Sequence, residues 1–112
     1  MITLKEARKK ADDFIKPIYA ATVLGQIKWE DTLECFCTKE TFNGFSFLIN
    51  NDNDFLIYKK NNVVLSFNYG ETGEKLIEYL TLKREKQYLN VFKEALNALT
   101  EYIEKKGNEP AL

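Results

Sequence analysis

The sequence predicts an α+β fold: an N-terminal helix, an antiparallel β-meander of four to six strands, and a long C-terminal helix packed on one sheet face. Three observations predict it. Apolar residues recur at helical spacing near both ends of the chain and at every second position in its middle. The connections between the middle segments are also too short for parallel crossovers, which need a dozen residues or more. At 112 residues the chain suits one domain. Residues 1–107 read as a single α+β domain and 108–112 as a frayed tail.

The first helix opens at Thr3. Thr3 and Glu6 have the spacing of a capping box, with Ile2 and Ala7 placed as a hydrophobic staple. Leu4, Ala7, Ala11, Phe14, Ile15 and Ile18 then form one stripe, with Lys5, Lys9, Asp12, Asp13 and Lys16 toward water. Pro17 lacks an N–H and crowds the preceding turn, so it is expected to end or kink the helix. Gly25 marks a break.

In the middle, Leu33, Cys35 and Cys37 alternate with Glu34 and Phe36, and Phe45, Phe47 and Ile49 with Ser46 and Leu48. Phe55 and Ile57 share a face, and Val63, Leu65, Phe67 and Tyr69 continue the pattern. Asn43-Gly44, the polar run Asn50 to Asp54, and Lys60-Asn61-Asn62 supply the turns, Asn tolerating the positive φ that tight hairpins demand. Residues 76–82 read as a further strand, in preference to a short helix from Thr72, because Lys83 to Gln87 interrupt any single helical stripe. Tyr88, Phe92, Ala95, Leu96, Leu99 and Ile103 define the last helix, with Lys105 and Lys106 in its final turn, Gly107 as its stop and Pro110 beyond.

With both helices on one face, the other carries Phe36, Leu48, Leu56, Tyr58 and Val64. That is more apolar surface than a solvated face normally shows. It suggests a sheet curled over its own core, or a homodimer through the exposed sheet face.

Most familiar chemistry is excluded by composition. Without histidine there is no Ser-His-Asp or Cys-His arrangement, and no glycine-rich phosphate loop occurs. Cys35 and Cys37 fall on one strand face, where two small buried thiols are expected. A disulfide across one residue is strained, and a zinc site needs about four ligands. Asn50, Asp52 and Asp54 have the opening spacing of a calcium loop, but Phe55 replaces its glycine and Asn61 its final glutamate. No catalytic residue, metal or cofactor is therefore expected, and the chain does not read as an enzyme.

The net charge of −1 shows no basic excess of the kind that nucleic-acid binding requires. No apolar run approaches the roughly 18 residues of a membrane span. The charged N-terminus does not fit a signal peptide, which implies a cytoplasmic protein. Charge is instead concentrated internally. Residues 22–58 carry Lys28 and Lys39 against Glu30, Asp31, Glu34, Glu40, Asp52 and Asp54, two positive and six negative side chains, or −4. Trp29, Glu30, Asp31, Glu34, Asp52 and Asp54 are the expected partner-binding residues. The carboxylates would steer a basic protein surface and the indole would anchor it.

The opening Met1-Ile2-Thr3, with Ala7 and Ala11, resembles the start of small bacterial immunity proteins over roughly the first 15 residues and in the helix–meander–helix plan. That resemblance implies an acidic α+β domain that neutralises a cognate toxin, and carries over no functional residue. Phage-encoded inhibitors of bacterial defence share the profile of small size and acidity. The expected function is thus a non-enzymatic protein-binding module that inhibits or neutralises its partner, of toxin-immunity or phage anti-defence type. The alternative is a small-ligand module, with Phe45, Phe47, Phe67, Tyr69 and Phe92 lining a pocket beneath a curled sheet.

Overall fold

The Thr3 hydroxyl accepts a hydrogen bond from the Glu6 backbone N–H (3.1 Å), so the first helix begins where the capping spacing places it. A computed structural model of the chain describes residues 2–108. Helix α1 spans Leu4–Val23 and runs through Pro17 rather than ending there. Proline removes one backbone bond, but Ile15, Ile18 and Thr22 on either side of it are buried, and their packing offsets that loss. The helix stops at Gly25, which takes φ 77°. There Gln26 N donates to Ala21 O (2.8 Å) and Gly25 N to Thr22 O (3.0 Å), the paired bonds of a Schellman termination.

Five strands follow: β1 Trp29–Asp31, β2 Cys35–Thr38, β3 Phe45–Asn50, β4 Asp54–Lys59 and β5 Asn62–Asn68. Each pairs antiparallel with the next in the order β1-β2-β3-β4-β5, the expected meander. The β4–β5 hairpin turns on Lys60 (φ 51°) and Asn61 (φ 71°), and Asn43 (φ 52°) with Gly44 (φ 85°) forms the other left-handed pair. Both turns have the handedness that suits the twist of the strands they join.

Register then fixes the core. Phe36 lies opposite Ile49, Ile49 opposite Phe55 and Phe55 opposite Phe67, one apolar row across four strands. Phe55 stacks on Phe67 (5.3 Å between ring centroids) and meets Phe47 and Phe14 at 5.8 and 6.2 Å. With Ile15, Ile18, Leu76 and Leu80 these residues form the core of residues Met1–Leu80.

This register corrects the expected phase of β2. Phe36 and Thr38 face the core, whereas Cys35 and Cys37 point to the opposite face beside Leu48 and Leu56. Every residue from Cys35 to Cys37 is apolar, so alternation alone did not settle the choice, and burying a phenyl ring is worth more than burying a thiol. Leu33 is likewise no part of a strand. It sits in the β1–β2 turn with φ 76°.

Residues 76–82 are helical, not a strand. They lie within α2, Glu71–Asn108, which also runs through Gly107 and through the polar stretch Lys83 to Gln87. Leu76 and Leu80, one helical turn apart, are fully or nearly buried, while Glu74, Lys75 and Glu78 are exposed. By packing, the chain falls into two units, Met1–Leu80 and Thr81–Leu112. The core contribution of α2 comes from its first turns. From Glu85 to Gly107 every residue is exposed, the Tyr88-to-Ile103 stripe among them. The expected tail lies outside the described residues beyond Asn108.

Candidate functional site

An antiparallel meander sends alternate turns to opposite ends of the sheet, and here that sorts the charges. The β1–β2 turn (residues 32–34) and the β3–β4 turn (residues 51–53) share one end, side by side, because Cys35 is the partner of Asn50. That end carries Asp31, Glu34, Asp52 and Asp54. The other end carries Lys28, Lys39, Lys59 and Lys60, with Glu40. Lys28 and Lys39 thus lie at the opposite end of the strands from Asp31, Glu34, Asp52 and Asp54.

The expected site residues divide by what their side chains touch. Trp29 is half-buried against the core, and its Nε1 donates to Thr22 Oγ1 (2.9 Å). Thr22 Oγ1 in turn donates to Ile18 O (2.7 Å). The indole therefore ties β1 to α1 and is no exposed anchor, a correction to its expected role. Asp31 accepts from Leu33 N (2.9 Å) and shapes its turn. Asp54 is half-buried beside Asn50, whose Oδ1 accepts from the backbone N–H groups of Asp52 (2.9 Å) and Asp54 (3.0 Å). Glu34 and Asp52 are exposed at the turns themselves. Glu30 is exposed too, but opposite Cys37 on the sheet face away from the helices.

Sequence patterning missed Leu33. It is 81% exposed, the most exposed large apolar side chain among the described residues, and stands between Asp31 and Glu34. A leucine held at φ 76° is strained, since Cβ crowds the backbone there. Its only signal in the sequence was an apolar residue bracketed by acids. Leu33, and not the indole, is the exposed apolar side chain beside these acids.

The second feature is the thiol pair. Cys35 Sγ lies 4.0 Å from Cys37 Sγ and 2.9 Å from Thr32 Oγ1. Burial, and secondarily the neighbouring Cys35 and the Glu30 carboxylate, push the Cys37 thiol up to about 11. Both cysteines are free thiols.

The aromatic residues expected to line a pocket have separate surroundings. Phe47 and Phe67 pack through Phe55, Tyr69 Oη donates to Asn50 O (2.8 Å), and Phe45 lies under Lys59 Nζ (5.3 Å to the ring centroid). Phe92 is exposed on the second unit. Among the described residues no three Cys, Asp or Glu side chains gather as a metal set, and no helix is long and apolar enough to cross a membrane. Comparisons with protein-family models, curated proteins and solved structures returned no match.

Proposed function

We propose that this protein acts by binding another protein at the acidic end of its sheet, and that binding inhibits or neutralises the partner. One observation carries the reading: Leu33, bare and strained at a turn tip, is flanked by Asp31 and Glu34, with Asp52 on the adjoining turn. Strain kept at an exposed apolar residue is more characteristic of a binding surface than of a turn optimised for stability. Carboxylates around an apolar centre suit a basic surface with an apolar pocket: the charges speed encounter and the leucine supplies the desolvated contact. The lack of histidine in the sequence supports contact over catalysis, in a toxin-immunity or phage anti-defence setting.

The test is affinity capture with the full chain as bait, beside a variant carrying Glu34→Lys and Asp52→Lys. A basic protein retained by the wild type, released by salt and not retained by the variant is the expected result. Equal retention by both baits sinks the assignment.

A further inference from the structure

The second unit, Thr81–Leu112, presents an apolar stripe with a specific period. Leu89, Phe92, Leu96, Leu99 and Ile103 follow one another at steps of three, four, three and four residues, the a and d positions of a heptad repeat. That spacing makes a seam suited to one facing helix, narrower than the stripe of a helix lying on a sheet. The seam is bare: Phe92 is 63% exposed, Leu96 61% and Leu99 52%. Tyr88 and Tyr102, also exposed, border it on one side.

We propose that α2 pairs through this seam with α2 of a second copy of this chain, in antiparallel orientation. Charge decides the orientation. Continuing the heptad outward puts Glu85 and Lys106 at d positions on either end of the apolar run. A parallel pair would set Glu85 against Glu85 and Lys106 against Lys106 within the seam, where like charges oppose pairing. An antiparallel pair centred between Leu96 and Leu99 avoids both clashes. It packs Leu96 against Leu99, Phe92 against Ile103, and the aliphatic stem of Lys106 over Leu89.

The positions that flank the seam carry Lys86 and Lys93 and no acidic residue, so the orientation rests on Glu85 and Lys106. The area is adequate. Side chains of this size, half or more exposed, leave several hundred Å² per copy, so a pair buries on the order of 1,200 Å², the lower bound for a stable interface. The face of the sheet expected to dimerise is the weaker candidate, because its Leu48, Leu56 and Tyr58 are already half-buried.

The test is sedimentation equilibrium of the full chain from about 1 to 200 μM, a range that reads micromolar association. A monomer–dimer equilibrium is expected. Leu96→Lys with Leu99→Lys should weaken it at least about 100-fold. Both positions are exposed, so circular dichroism of the variant should match the wild type, and Glu101→Lys, outside the seam, should leave dimerisation unchanged. Lysine cross-linking of a mixed ¹⁴N/¹⁵N sample reads orientation. Lys86 should link to Lys106 of the other copy, although the two lie about 30 Å apart along one helix, and should not link to Lys86. A monomer throughout the range, a dimer indifferent to the double substitution, or Lys86–Lys86 links overturn the proposal.

Discussion

The Asp12 carboxylate caps the start of α2 from 60 residues away, accepting the Thr72 backbone N–H on Oδ1 (3.0 Å) and the Thr72 hydroxyl on Oδ2 (2.8 Å). The first N–H groups of a helix lack intrahelical partners and sit at the positive end of its dipole, so an anion is favoured there. The carboxylate lies against Gly70, just before the helix, where a Cβ would meet Asp12 Oδ1 at 3.4 Å, an ordinary contact. Asp12→Ala is therefore expected to lower stability by about 1–2 kcal/mol, the range of a lost helix cap. Thr72→Ala should cost less, because it removes only the hydroxyl bond and leaves the backbone N–H donating to Asp12. The double variant should cost less than the sum, because the hydroxyl bond is lost in both single variants. Urea unfolding of the four proteins measures the coupling, and strict additivity would show that Asp12 and Thr72 act separately.

That cap explains part of what could and could not be read from sequence. The Thr3 cap, the Lys60-Asn61 turn and the alternation in β3 and β4 were legible, because each depends on residues within a few positions of one another. The start of α2 was not, because its capping residue lies in α1. The phase of β2 was not, because Cys35, Phe36 and Cys37 are all apolar. Of the candidate site, the acidic segment was visible and its sorting to one end of the sheet was not, since that follows from strand register. Trp29 looked available only while its bond to Thr22 was unknown.

Gly73 offers a sharper test of packing. A Cβ at this position would overlap Cβ and Cγ of Tyr69, whose ring is held by its hydroxyl bond to Asn50 O. Alanine is the better helix former by about 1 kcal/mol, but overpacking of this kind costs roughly 1–3 kcal/mol, and the neighbour here is the stem of an anchored ring. Gly73→Ala should therefore destabilise. In a Tyr69→Gly background, which removes the Cβ and the ring together, the same change should stabilise, because only the propensity remains. A loss of stability in both backgrounds would show that Tyr69 is not the obstacle.

Cys37 should be slow to react. With its thiol pushed up to about 11, the thiolate fraction at pH 8 is on the order of one in a thousand. Iodoacetamide should alkylate Cys37 in the native protein far more slowly than in urea, with a rate still rising above pH 10. Stability has a definite sign here. Between the ordinary value of 9.0 and about 11, the unfolded chain has lost a proton that the folded chain retains. Stability is thus fully present below about pH 9 and declines as pH rises toward 11. Cys37→Ala should flatten that alkaline decline, and an unchanged decline would place its origin elsewhere.

Leu33 separates stability from function. Its left-handed backbone costs roughly 1–2 kcal/mol for a residue with a Cβ, while glycine adds about 0.5–1 kcal/mol of chain entropy to the unfolded state. Strain is the larger effect, and a side chain 81% exposed gives up little packing. Leu33→Gly should therefore stabilise the protein, by up to about 1 kcal/mol, with the Asp31 bond to residue 33 N preserved. If Leu33 is the apolar centre of a partner surface, the same variant should bind its partner at least tenfold more weakly, the loss typical of a hot-spot side chain. Thermal unfolding and partner titration on one preparation read both effects. A stabilised variant with undiminished binding would mean that the acidic end works through its charges alone, and would remove Leu33 from the site.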